Sequence, residues 1–526
     1  MNESSGHANR QIARAAGVVM LAFLLSQVAG LVRQILATSA FGTTSLMDAF
    51  NTANIFPNLL FNLLAGGALA SAFIPTFTAF LTKDDHPSAW KLASSIINLV
   101  VLLLAAVSLI SALVAPQIAR LLAPHYSPAR QALTAQLLRV LLITSTVFGL
   151  SGILSGIINS YQRFLLPALA SALYWTGIII GLIFFVPSMG IFGLAWGAVL
   201  GSILHLTIQL PDLFRLPSRR YTPTLGLNNP SVREVVLLMG PRLISVAVLQ
   251  INMVVTGIIA SGLPTGSLSA INFAFPIMTM PLVVIGSGIG FATLPTFSAQ
   301  FARGQVDDMR SSLTASLRGV LFLSIPATLG LILLREPLIT FLFQHGNFLA
   351  VSTQMTSWAL LWYTIGLVAH CVLEILVRAF FALHDTKTPA LVSAGAMGLN
   401  ILFSIAFPIW FQQMGLMPLG GLALAITLET VIETTVMFFL LRKRIHGIHA
   451  RSLAKGTAAA LLATLFMSAA LLGWTRVMAS HSAALITLGG VLTGGVVYAL
   501  VLILLRVPEI HSVVNLVRKR LNPKIL

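Results

Sequence analysis

The sequence predicts an all-α polytopic membrane protein of about 14 transmembrane helices, arranged as two parallel six-helix lobes plus two C-terminal helices. Three observations point there. Of the 526 residues, 57% are hydrophobic and only 9% charged, whereas soluble domains carry roughly 25% charged residues. Apolar stretches long enough to cross ~30 Å of hydrocarbon recur along the whole chain, and the longest polar linker, about Asp212 to Arg233, is too short to fold alone. Finally, "AFIPTFTAF" from Ala72 to Phe80 returns as "ATLPTFSAQF" from Ala292 to Phe301, and "LLPALASA" from Leu165 to Ala172 returns as "KTPALVSA" from Lys387 to Ala394. Pro75 and Pro295 are 220 residues apart and Pro167 and Pro389 are 222 apart, so one unit is present twice.

Taken in order, the first span, 14–41, follows Arg10 and Arg14 and continues past Val28, too long for a secretory h-region, so it reads as an uncleaved span. The second, 47–81, is interrupted by Pro57 and Pro75. Spans at 90–115 and 132–159 follow, and Pro167 opens the fifth, 164–186. The sixth, 190–211, carries Gly193, Gly197 and Gly201, a spacing of small residues that lets another helix of the same lobe approach closely. After the polar linker come 234–262 and 268–300, the latter interrupted by Pro276, Pro281 and Pro295; such breaks make bends that can act as hinges. Spans at 311–334, 353–383, 388–411 (opened by Pro389) and 418–441 complete the second unit, and 453–475 and 483–506 form an appendage. The repeated strings fall in spans 2 and 8 and open spans 5 and 11. The unit is therefore six spans, and because six is even the second copy enters the membrane in the same direction as the first. This divides the chain into an N-lobe at 1–215, a C-lobe at 216–445, and at 446–526 the last two helices with a basic cytoplasmic tail. Two such lobes sharing a cleft are the architecture of an alternating-access transporter.

Charge sets the orientation. Lys83, Lys91, Arg163, Arg215, Arg219, Arg220, Arg303, Arg310, Lys387 and the Arg442–Arg444 cluster fall on one side, with only Arg120, Arg130, Arg335 and Arg476 opposite them. Short cytoplasmic loops are enriched in Lys and Arg, so both termini are expected in the cytoplasm, and the net charge of +17 largely reflects that sorting. A nucleic-acid partner would need a basic face with stacking aromatics, which the sequence lacks. The single cysteine, Cys371, excludes a disulfide framework and a Cys-based metal site. A membrane glycosyltransferase should carry acidic residues in an extracytoplasmic loop, and here those loops hold little beyond Glu336, so the chain reads as a non-enzyme.

The stretch "GLVRQILATSAFGTTSLMDAFNTANIFPNLLFNLLAGGALASAFIPTF", Gly30 to Phe77, resembles the opening helices of the MurJ/MviN family of lipid II flippases. "GIFGLAWGAVLGSILHLTIQLPDL" at Gly190 to Leu213, "GFATLPTFSAQFARG" at Gly290 to Gly304 and "VRAFFALHDTKTPA" at Val377 to Ala390 agree with it in the same order. The resemblance implies the fold of the multidrug/oligosaccharidyl-lipid/polysaccharide exporter superfamily. It also implies a bacterial inner-membrane protein of peptidoglycan synthesis that moves an undecaprenyl-pyrophosphate-linked glycopeptide lipid from the inner to the outer leaflet. Family members line the first lobe's cleft with several arginines. Here Arg33 and Asp48 stand at matching places, while Gln27, Phe61 with Asn62, Gly66 and Pro276 occupy positions that are charged in the family.

Several residues carry the expected chemistry. Arg33 lies well inside span 1, where an arginine near the bilayer centre costs at least ~2.5 kcal/mol on insertion scales. A diphosphate suits its guanidinium fork, with Asp48 as partner when the site is empty; a structural ion pair or snorkelling to the interface is the alternative. Asn62 belongs to the same substrate-binding set. Arg242, about two turns into span 7, offers replacement cationic charge or else snorkels towards the cytoplasm. Glu429 and Glu433, one turn apart on span 12, project from one face and form either a proton-coupling site or a protonated pair hydrogen-bonded within the bundle. If the coupling ion is Na+ instead of H+, Asn252, Asn400 and Thr427 offer oxygen ligands, with Ser404 where a carboxylate is expected. Glu374 and Arg378 read as a structural i, i+4 pair. No cofactor is expected, the partners are the lipid-linked substrate and membrane lipids, and a monomer is favoured. The alternatives to lipid II transport are a flippase for another lipid-linked glycan, a multidrug-type exporter, or a non-transporting cell-wall scaffold. A polyprenyl tail would lie along a groove by the last two helices.

Overall fold

The computed structural model describes the backbone of residues 3–64 and 67–507, and the side chains in those ranges apart from 3–19, 64, 67–71, 241, 242, 244, 245, 248 and 249. The elements in chain order are α1 Glu3–Phe41, α2 Ser45–Leu64, α3 Gly67–Thr82, α4 His86–Leu113, α5 Ala115–Leu122, α6 Pro128–Ser160, α7 Leu165–Ile180, α8 Val186–Met189, α9 Ile191–Thr207, α10 Leu210–Phe214 and α11 Pro230–Ser261. They continue as α12 Ser267–Leu282, α13 Gly288–Ala302, α14 Val306–Phe343, α15 Ala350–Ile365, α16 Leu367–Ala382, α17 Lys387–Gln413, α18 Leu419–Arg444, α19 Ala450–Val477 and α20 Ala483–Leu504. Helix starts carry the expected devices, with prolines in the first turn of α4, α6 and α11 and side-chain caps from Asp85, Ser127 and Asn229. These satisfy amide groups that a helix leaves without internal partners.

Among the described residues, 11 helices are long and apolar enough to cross a membrane, or 12 if the bent pair α15 and α16 is counted as one span. The expected count of 14 is therefore not reached by this measure. In the two remaining expected stretches, 47–81 and 234–262, the described residues up to Ser261 are helical, and the shorter apolar pieces Ala72–Thr82 and Gln250–Ser261 fall there. The α15–α16 pair bends by 44° at Gly366. Two further expected helices contain a π-helical turn: Gly181–Phe185 links α7 to α8 and Val283–Ser287 links α12 to α13. The second turn begins two residues after Pro281.

Packing groups the chain into two compact units, Met1–Ser269 with His345–Phe348, and Ala270–Gln344 with Leu349–Leu526. This grouping differs from the division by repeat, because α11 packs against α2 and α3 in the first unit. The short insert His345–Phe348 is tied to the end of α1: Asn347 N–H donates to Ser39 O at 2.8 Å and its side-chain amide to Ala40 O at 2.7 Å. The polar linker also lies in the first unit, extended along α4. The Asn98 amide donates to the carbonyls of Thr222 and Thr224 at 3.3 and 2.9 Å, and Ser94 accepts from Thr222 N–H.

The small-residue stripe on α9 packs within its own unit, as expected. A Cβ added at Gly201 would stand 2.3 Å from Tyr174 O, one at Gly177 2.2 Å from Gly201 Cα, and one at Gly181 2.4 Å from Gly197 Cα. Only hydrogen fits at these crossings. One contact recurs in the second unit. Gly193 abuts the backbone of Phe185 and Val186, and Gly421 abuts that of Phe407 and Pro408. Phe185 and Phe407 are 222 positions apart, the offset of Pro167 and Pro389, and Gly193 and Gly421 are 228 apart.

Candidate functional site: a half-buried arginine and an apolar cavity

Arg33 is half-buried on α1, eight residues before its end at Phe41 and so about 12 Å in from it. Its guanidinium lies 4.8 Å from the centroid of the Trp175 ring on α7. The buried Nε has no hydrogen-bond partner among the described residues. An arginine at such depth faces the protein interior or a wet cavity and takes a partner; here the protein supplies an aromatic face and leaves the Nε–H without an acceptor.

Asp48 is not that partner. Its side chain is buried, and Arg130 on α6 pairs with it at 2.6 Å. It also accepts from Gly266 N–H at 2.7 Å, Ser269 N–H at 2.9 Å and Ser269 Oγ–H at 2.6 Å. The carboxylate thus sits at the N-terminus of α12, where backbone N–H groups and the helix dipole favour an anion. Arg130 stacks on Tyr126, 3.6 Å from the ring, and Tyr126 shares a hydrogen bond with Thr52. The expected Arg33–Asp48 pair is replaced because Asp48 begins α2 level with the 123–130 and 263–269 loops, whereas Arg33 lies about two helical turns deeper. Asn62 is half-buried on α2, and the neighbouring Phe61 meets Phe148 of α6 at 5.1 Å. The side chain of Arg242 lies outside the described residues, as does Gly66.

In the second unit, Glu429 and Glu433, one turn apart, share a face of α18. Ser393 on α17 donates to Glu433, and Thr430 links Glu429 to His370 of α16 through contacts of 3.2 and 3.3 Å. Asn400 and Thr427 are buried in the same unit, while Asn252 lies in the first. Each expected sodium ligand already has a protein partner: Thr427 donates to Trp362 O at 2.6 Å, Asn400 accepts from Ser404 at 3.3 Å and Asn252 from Thr256 at 3.3 Å. No group of three or more His, Cys, Asp or Glu suited to a metal occurs among the described residues. Glu374 and Arg378 form the expected pair at 2.5 Å, with Arg378 laid over Gly290 and 4.5 Å from the Phe291 ring.

An apolar cavity of about 400 Å³ opens in the second unit, lined by α14, α19 and α20 with Pro281; Pro326, Leu334, Met467, Val491 and Tyr498 are among its walls. Its place matches the groove expected beside the last two helices. The residues that sequence reasoning missed are those acting through long-range pairs. Arg130 registers in the sequence only as an outward charge, 82 residues from its partner. His205, the one histidine in the sixth span, is held by Ser151 and Gln209, and its lone imidazole in an apolar run is the signal that could have found it.

A helical, multi-pass membrane protein with a half-buried arginine that no described residue neutralises in one unit and an apolar, chain-accommodating cavity in the other belongs to the class of membrane transporters with this exporter fold. The family model described as "Lipid II flippase MurJ" matches residues 10–493, and the chain belongs to that family. It is 31% identical over 428 residues to the lipid II flippase MurJ of Burkholderia cenocepacia, covering 80% of this chain and 82% of the relative. It is also 31% identical over 461 residues to the probable lipid II flippase MurJ of Bdellovibrio bacteriovorus, covering 85% and 86%. Among solved structures, a lipid II flippase MurJ in an inward closed conformation is 25% identical with a TM-score of 0.79, covering 93% of this chain and 98% of that one. An inward-facing multidrug resistance transporter of the MATE family shares the fold at a TM-score of 0.66 and 16% identity, covering 82% and 98%.

Proposed function

We propose that this protein is a flippase that carries lipid II across the membrane, from the inner to the outer leaflet of the bacterial inner membrane, with both termini cytoplasmic. The single observation that carries the reading is the family match over residues 10–493. Arg33 is proposed to receive the diphosphate. Its planar fork can give two parallel hydrogen bonds to phosphate oxygens, and the reading is supported by an Nε–H that no described residue occupies. Asp48, whose carboxylate accepts four hydrogen bonds from the protein, supports the site by fixing α2 against α6 and the start of α12. The polyprenyl chain is proposed to lie in the apolar cavity of α14, α19 and α20, where contact with hydrocarbon costs no polar group its partner.

Transport is proposed to proceed by alternating exposure of the headgroup site, with H+ as the coupling ion at Glu429 and Glu433. Two carboxyls one turn apart on a membrane-spanning helix change their net charge when a proton leaves, and so bias one conformation over another. Glu429→Gln is expected to flatten the pH dependence of transport; a profile identical to that of the parent protein excludes this role. The function itself is tested by depleting the native lipid II flippase of a bacterium and expressing this chain. Restored growth and lipid II translocation are expected, and failure of a well-inserted protein to restore them overturns the reading.

A further inference from the structure

Between Asp85 and Asp212 the sequence has no Asp or Glu, yet the corner of the first unit formed by α5 and α6 carries Arg120, Arg130 and Arg139. Arg130 takes Asp48 from α2. Arg120 and Arg139 have no carboxylate partner among the described residues. Both line one cavity of about 200 Å³, open to the surface, between α5 and α6.

The residue pattern makes this cavity. Pro116 and Arg120 are one turn apart on α5, and Ala132, Ala135, Gln136 and Arg139 recur at helical spacing on α6, so each helix turns one face to it. Alanine at 132 and 135 leaves space that longer side chains would fill, while Arg120, Gln136 and Arg139 are exposed. Side chains on a helix lean towards its N-terminus, and Arg139 reaches back along this face to donate its Nε–H to Ala112 O at 3.0 Å. That bond fixes the guanidinium and leaves its two terminal nitrogens without an acceptor among the described residues. Because α4 crosses from His86 to Leu113, the cavity lies at the membrane face opposite Lys83 and Lys91. Its flank is apolar: Leu113, beside Ala112, and Leu121, beside Arg120, are exposed, as is Ile143, one turn beyond Arg139.

We infer that this cavity seats the phosphate of an anionic phospholipid, with the acyl chains along Leu113, Leu121 and Ile143. Two guanidinium forks suit phosphate oxygens, and an arginine within a span needs such a partner. A free phosphate would use the same arginines but leave the apolar flank uncovered. None of the lining residues is acidic, so the ammonium of a zwitterionic lipid finds no counter-charge there, and the site selects a headgroup of net negative charge. A lipid held in this way braces α5 against α6, the helix whose Arg130 secures Asp48. The site is independent of the lipid II reading.

The test places the full-length protein in nanodiscs with phosphatidylglycerol or phosphatidylcholine carrying a photoactivatable acyl chain, and measures labelling of residues 112–143 by peptide mass spectrometry. Phosphatidylglycerol is expected to label this stretch about tenfold more than phosphatidylcholine, the effect of two cations near a membrane surface. Arg120→Gln combined with Arg139→Gln should remove that preference. Ala132→Phe, which fills the cavity and keeps both charges, should lower phosphatidylglycerol labelling at least fivefold, with the thermal midpoint of each variant close to that of the parent. Equal labelling by the two lipids overturns the site, and so does labelling that Ala132→Phe leaves unchanged, since charge at the surface would then suffice. Inorganic phosphate that abolishes the labelling when chloride at equal ionic strength does not would make free phosphate the ligand and overturn the lipid assignment.

Discussion

At the scale of single residues, Arg33 and Asp48 are both charges withdrawn from water, yet they are satisfied in opposite ways. Asp48 has Arg130, two backbone amides and a hydroxyl; Arg33 has the face of an indole. Their replacement should therefore have opposite signatures. Asp48→Asn leaves Arg130 without its anion, and breaking a buried pair by removing one partner typically costs ~3–5 kcal/mol. A clear fall in thermal unfolding temperature in detergent is expected, and an unchanged midpoint would show the pair to be dispensable. Arg33→Ala removes a guanidinium whose Nε–H bonds to no described residue, so the same melt should be unchanged or higher while lipid II translocation in proteoliposomes is lost. Both residues are legible in the sequence as ions in apolar runs, and so is the prospect that each needs company. The identity of that company is not, because Arg130 and Ser269 reach Asp48 across 82 and 221 residues, and no local pattern encodes such distances.

At the scale of elements, termini and crossings were legible for different reasons. Helix starts follow from prolines and short polar side chains whose effect is local, and the glycine crossing of α7 and α9 follows from spacing alone. The bend between α15 and α16 was not legible, since Gly366 resembles any other glycine in an apolar run. Thr427 of α18 donates to the Trp362 carbonyl close to that bend, so a neighbouring helix holds it in place. A local device also makes a pH prediction. Asp385, ahead of α17, accepts from the N–H and hydroxyl of Thr388 and faces Arg444 at 3.6 Å. The two Thr388 bonds chiefly hold its carboxyl below the ordinary 3.8. A lowered pKa in the folded state means that the cap stabilises at neutral pH and is lost as pH falls below that ordinary value through the depressed one. Melting followed from pH 6 to pH 3 should show an acid-side loss that Asp385→Ala reduces; the same slope in both proteins would assign it to other groups.

For the molecule as a whole, the membrane class and the family followed from composition, duplication and ordered strings, while the grouping of α11 with the first unit did not, because helix partners are chosen by packing and not by repeat. The cavity of the second unit offers a test at this scale. At Gly330 and Gly495, which line it, an added Cβ meets nothing within 4 Å, so Gly330→Phe and Gly495→Phe should fill the space without disturbing the fold. Translocation of full-length lipid II is expected to fall several-fold, and that of an analogue with a shortened prenyl chain to fall less; equal effects on both would remove the tail from this cavity. The recurring glycine contact has a consequence for what one chain can encode. Gly193 and Gly421 lie 228 positions apart, and at that same offset further along α9 and α18 stand Gly201 with Glu429 and His205 with Glu433. The same two addresses thus recur on a helix that a glycine seats against neighbouring backbone. Within one chain the two addresses can differ, and here one carries an imidazole and its twin a carboxyl, a difference that two identical subunits could not hold.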